Sequence, residues 1–289
     1  MFQSSSKKLC TFLISATILS PTVFSQSTGS VQSSQSTLKS PMGRMLKKAL
    51  PDRVTYFSIV SGPNLDDGGD PYEADGVVDE GGFGTWNQIS LQWEINDKFR
   101  FVFNPRFGYT FSENIAEDEE AFSLINPVVG ITGVWYKKGN FQFAGGINTI
   151  VPPMREEDTI EDGLIYNPGG FNDVGYRFNS SLRVGSWVWA RYMIYDRETE
   201  LDDTRYATFL APYINYTIND NLTFTPFYQI NGEETYDKTL EFDNTESLNL
   251  MLSIKVSSML RIEPMITTFR ETDFDVAKGN LNVWLSGRF

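Results

Sequence analysis

The sequence predicts an all-β chain: a transmembrane, antiparallel, up-and-down β-barrel of about twelve strands. Three observations carry that expectation. Segments of about ten residues alternate apolar and polar side chains with a period of two. The connections between them alternate between tight turns and long acidic stretches. Beyond residue 25 no run of eighteen apolar residues occurs, so helical spans are excluded and a bilayer crossing falls to a closed barrel.

Residues 1–25 have the form of an export signal. Lys7 and Lys8 make a positive start, Leu9 to Ser20 a short apolar run, and Val23 and Ser25 the small-residue positions of a cleavage site. Cys10 falls inside that segment, so the mature chain would contain no cysteine and owe nothing to disulfides. Residues 26–52 form a polar tail rich in Ser, Gln and Thr. Within it Met42 to Leu50 can form one or two helical turns with Arg44, Lys47 and Lys48 on the wet side. These turns read as an ordinary lead-in or as a plug or partner-binding helix.

Charge and composition narrow the partners. Without Lys7 and Lys8 the chain has 22 basic against 37 acidic residues, a net charge near −15. Nucleic acid needs clustered Lys and Arg and is therefore no expected partner. The chain has no histidine at all.

The barrel is expected over 53–289, with strands at 53–62, 86–95, 98–111, 121–136, 141–152, 174–184, 187–197, 204–217, 222–231, 245–256, 259–270 and 279–289. Phe99, Phe101, Phe103, Phe107, Tyr109 and Phe111 alternate with Arg100, Val102, Asn104, Arg106 and Thr110. Leu248, Leu250, Leu252, Ile254 and Val256 oppose Asn249, Met251, Ser253 and Lys255. A soluble β-sandwich would show the same local pattern. The connections separate the two. Asn96-Asp97, Lys137 to Asn140, Gly185-Ser186, Asn219-Asp220 and Ser257-Ser258 are hairpin-turn sequences at every second junction. The other junctions are longer and carry most of the 37 carboxylates, which places long loops at one end and both termini at the other.

The last nine residues, Leu281 to Phe289, close the pattern. Leu281, Val283, Leu285, Gly287 and Phe289 share one face and Asn282, Trp284, Ser286 and Arg288 the other. This segment resembles the closing strand of a bacterial outer-membrane β-barrel, although such strands usually carry a second aromatic where Gly287 stands. The resemblance implies residence in the outer membrane of a Gram-negative envelope, among outer-membrane lipid and lipopolysaccharide. It also implies recognition of Phe289 by the barrel-assembly machinery. It is one of architecture and identifies no subfamily.

With the apolar face toward lipid, Arg100, Arg106, Arg177, Arg183, Arg191, Lys255, Arg261 and Arg288 face the lumen with Glu94 and Glu263, because a charge on the lipid face costs about 2–4 kcal/mol near the midplane. Two readings follow: a water-filled pore that favours anionic or polar solutes, or a paired network that packs a narrow bore. Asp66, Asp67, Asp70 and Asp75 would offer oxygens to calcium or magnesium, but their spacing is not that of an EF-hand. A solvated, self-repelling loop is the simpler reading. Loops 63–85 and 153–173 would gate. Trp86, Trp93, Trp135, Tyr136, Trp187 and Tyr216 are expected in interfacial belts.

No cofactor is expected and no catalysis. Without histidine, Ser-His and Cys-His nucleophiles cannot be assembled, and no glycine-rich phosphate loop or Cys/His metal cluster occurs. The expected function is a porin-like channel for passive diffusion of small polar or anionic solutes. The alternatives are a non-conducting surface or structural barrel that works through its loops as an adhesin or receptor, and a transporter that binds one solute in its lumen.

Overall fold

Alternating chains build a closed wall. A computed structural model describes residues 50–64, 83–111, 122–151, 163–196, 198, 200, 203–242, 246–276 and 278–289. The export segment, the tail to residue 49, and Asp66, Asp67, Asp70 and Asp75 lie outside the described residues. The strands are β1 Arg53–Asn64, β2 Phe83–Glu94, β3 Phe99–Phe111, β4 Phe122–Lys138, β5 Phe141–Ile150, β6 Leu164–Tyr166, β7 Gly169–Arg177, β8 Leu182–Tyr192, β9 Ile194–Tyr195, β10 Thr204–Asn219, β11 Leu222–Thr235, β12 Glu241–Phe242, β13 Ser247–Lys255, β14 Leu260–Phe269 and β15 Asn280–Arg288. All but β6, β9 and β12 form one antiparallel ring in chain order. It closes where β15 pairs with β1, Arg288 opposite Thr55 and Trp284 opposite Ile59. Closure gives each of the twelve ring strands a neighbour on both sides.

One periodicity sorts the side chains. On β13, Ser247, Asn249, Met251 and Ser253 are buried inside, while Leu248, Leu250, Leu252 and Ile254 face out. On β3, Val102, Asn104 and Arg106 are buried while Phe101 and Tyr109 are exposed. Outward aromatics gather at the short-turn end, where Trp93 meets Phe101 at 5.7 Å, Phe99 meets Trp135 at 5.0 Å and Tyr136 meets Phe141 at 6.0 Å. Tyr216 is exposed near the same end.

Short turns share one chemistry. The Oδ1 of Asn96 accepts from the Lys98 and Phe99 amides, and that of Asn219 accepts from Asn221. The Oγ of Ser257 does the same for Met259 and Leu260. Side-chain acceptors of this kind stand in for a backbone turn bond. At the β4–β5 turn Gly139 instead supplies a positive φ of 56°.

Three expectations are corrected. The short turn between β7 and β8 is not Gly185-Ser186: the chain reverses at 178–181, where Asn179 Oδ1 accepts from Ser181 and Leu182. Gly185 lies within β8, where a Cβ would stand 2.4 Å from the Val174 carbonyl oxygen and 2.6 Å from the Tyr213 hydroxyl. Its smallness makes room for a ring and does not make a turn. Residues 153–173 are not wholly loop: β7 begins at Gly169, and β6 pairs with β9 beside it. Trp86 and Trp187 are not belt residues. Both lie on the inner face and are buried, at 8% and 3% exposure.

Candidate functional site: the barrel lumen

The inner face has two chemistries. Phe57, Ile59, Trp86, Trp187, Trp189, Phe209, Tyr213, Phe227, Met251, Met265 and Trp284 belong to one contiguous apolar cluster. Its members come from strands around the ring, with Phe171 of β7 packed against it. Phe57 meets Trp284 edge-on at 5.7 Å and Trp86 at 6.1 Å. Across the bore, Trp187 meets Phe227 at 5.0 Å and Tyr213 at 4.6 Å. Aromatic edge contacts of this spacing hold rings in place, so an apolar layer narrows the lumen.

Below this layer, toward the short turns, lies a cavity of ≈ 390 Å³. Amide and hydroxyl side chains line it, among them Gln88, Ser90, Gln92, Asn104, Asn148 and Ser286, with Phe57 and Phe171 on its apolar side. The charged lining comprises Arg53, Lys255, Arg261 and Arg288 with Asp173, Asp220 and Glu263.

The ten charged residues marked by the sequence share the inner parity but fall into two groups. Arg100, Arg177, Arg183, Lys255, Arg261 and Arg288 stand within two residues of a strand end at the short-turn mouth. Glu94 is there too, exposed, opposite Arg100 in the ladder, with its amide donating to Asp52 Oδ2. Glu263 lies 3.7 Å from Arg261. Arg183 is bound to Asp173 at 2.7 Å, and the same carboxylate accepts the Tyr213 hydroxyl at 2.6 Å.

Arg106 and Arg191 form the second group, deeper in. Arg191 is 2% exposed. Its Nη1 donates to the carbonyl and Oδ1 oxygens of Asn167 at 2.8 and 2.9 Å, and its Nη2 to Asn148 Oδ1 at 2.6 Å. Arg106 donates through Nε to the Asn126 carbonyl at 2.6 Å, and its Nη2 reaches the same oxygen. Each guanidinium lies over an indole, Arg106 over Trp86 at 6.0 Å and Arg191 over Trp189 at 5.5 Å. Oriented amides and ring faces thus help to hold both charges.

Sequence reasoning missed Arg53, Asp173, Asn148, Asn167 and the aromatic layer. Arg53 shows as the polar first residue of a strand and Asp173 as one more acid in an acidic stretch. Asn167 carries no sequence signal, since its role arises where the chain enters β7 beside Ile150, whose amide donates to its Oδ1 at 3.1 Å.

No protein-family model matches the chain, and no curated protein matches it in sequence. Solved structures do resemble it. A COG4313 outer membrane channel from Pseudomonas putida F1 aligns with a TM-score of 0.50 at 6% identity, covering 83% of this chain and 96% of that one. The NanC porin aligns at 0.48 and 10% identity over 82% of this chain and 98% of that one. The KdgM porin aligns at 0.45 and 10% identity over 82% and 99%. At such identities the likeness is one of fold, and the fold is that of a bacterial outer-membrane β-barrel.

Proposed function

We propose that the protein is an outer-membrane channel for passive diffusion of small polar or anionic solutes, exported by a signal cleaved near Ser25. A transport role suits a closed wall with an apolar exterior and a polar cavity inside it. The observation that carries the reading is the surplus of inner-face cations: only Arg183 and Arg261 of the mouth group have a carboxylate within ion-pair distance among the described residues. Arg100, Arg106, Arg177, Arg183 and Arg191 would set the preference for anions. Outer-membrane lipid and lipopolysaccharide would surround the wall. Phe289, 72% exposed, would present the terminal aromatic to the barrel-assembly machinery.

The apolar layer favours a second reading, a barrel that does not conduct and works through its loops. Reconstitution in planar bilayers separates the two. A channel gives steps of current whose reversal potential in a salt gradient favours anions, and Arg100→Ala with Arg106→Ala shifts that potential toward zero. Silence from folded protein supports the scaffold.

A further inference from the structure

Three arginines stand near one another at the short-turn mouth, none of them in an ion pair among the described residues. Arg53 opens β1, Arg288 ends β15 and Arg100 stands second in β3. The ladder brings them together: Arg288 lies opposite Thr55, two residues along from Arg53, while Arg53 lies opposite Gln92, which in turn pairs with Val102 on the strand of Arg100. Arg53 stands within Coulombic reach of both Arg288 and Arg100. None of the three takes part in an ion pair among the described residues, although Glu94 stands opposite Arg100 in the ladder. Asp52 accepts the Glu94 amide, and Glu263 sits with Arg261. The Nε of Arg53 is buried and has no hydrogen-bond partner. Arg53 and Arg288 border the cavity of ≈ 390 Å³ together with Thr55, Gln92 and Ser286, which supply hydroxyl and amide groups.

We propose that this mouth is a binding site for a small multivalent oxyanion, carrying phosphate or several carboxylates, held by Arg53, Arg100 and Arg288. Like charges held together in a partly desolvated wall repel, and a polyanion between them relieves that repulsion more than a monovalent one. The planar fork of each guanidinium matches two oxygens of a carboxylate or phosphate. Thr55, Ser286 and Gln92 offer donors to oxygens that the guanidiniums leave over. Because the three side chains share the inner face, the ligand is a free solute and not a lipid headgroup. The site stands whether or not the barrel conducts, since it concerns equilibrium binding at one mouth.

The test is calorimetric titration of the refolded full-length barrel in a zwitterionic detergent, at constant ionic strength, with citrate and inorganic phosphate against acetate. Citrate and phosphate are expected to bind saturably, at least tenfold more tightly than acetate. Arg53→Gln with Arg288→Gln should weaken them tenfold or more, while Arg205→Gln, at the opposite end of the barrel, should change nothing. If the double glutamine variant does not fold, Arg53→Lys with Arg288→Lys keeps the charge, removes the fork and should still lose at least threefold. Equal affinities for citrate and acetate, or unaltered binding in the variants that fold, would overturn the site. Vesicles containing phosphatidic acid should not compete with citrate; competition would overturn its placement on the inner face.

Discussion

Trp284→Ala probes the apolar layer at its most enclosed ring. Trp284 is 1% exposed and meets Phe57 at 5.7 Å with the planes at 78°. Phe57 in turn meets Trp86 at 6.1 Å, so removing the indole strips one edge contact and loosens another. Truncating a packed tryptophan costs about 3–5 kcal/mol, of which one edge contact supplies about 0.5–1.5 kcal/mol. The loss would show as an earlier midpoint in urea unfolding from lipid vesicles, followed by the fluorescence of the remaining tryptophans. The same change enlarges the bore just above the cavity lined by Phe57 and Ser286, so current through reconstituted protein should rise. Trp93→Ala, on the outward face, serves as control and should leave the current unchanged. A stability loss under about 1 kcal/mol together with unaltered current would refute the packing of this ring across the lumen.

Other perturbations address the wall and the mouth. Leu250→Arg places a charge on the lipid face and should destabilise the barrel by about 2–4 kcal/mol in vesicle unfolding, whereas Asn249→Arg, inside, should cost less. Gly185→Val drives methyl groups into the Val174 carbonyl and the Tyr213 hydroxyl, and refolding yield on gels without heating should fall sharply. Asp173→Asn breaks the pair with Arg183, costing about 3 kcal/mol if the charge stays buried, and moves the reversal potential further toward anions.

Much of the wall was legible because lipid outside and water or polar packing inside impose opposite demands on alternate residues. The runs at 99–111 and 247–255 show that demand without ambiguity. It fails where both faces are apolar. Phe57, Ile59, Phe209 and Phe227 occupy inner positions, yet in sequence an apolar residue looks equally suited to lipid. Trp86 and Trp187 read as belt residues for the same reason. The hairpin at 178–181 was hidden because alternation continues through it: Tyr176 and Val184 face out on the two strands that the turn joins. Gly185 drew the turn to itself, although a glycine also serves a close approach, here that of Tyr213. The parity of Arg100, Arg177 and Arg183 could be read in advance. Their gathering at one mouth could not, because it depends on where each strand ends.

The most direct measurement concerns which face meets hydrocarbon. With Cys10 replaced by Ser, single cysteines at each position from 248 to 254 would carry a nitroxide label in reconstituted vesicles. Collision with oxygen, which concentrates in the bilayer, is compared with collision with a water-soluble nickel chelate. The expected result is high oxygen accessibility at 248, 250, 252 and 254 and low values at 249, 251 and 253. An inverted pattern, or uniform access by the nickel reagent, would contradict a barrel whose charged residues face its lumen.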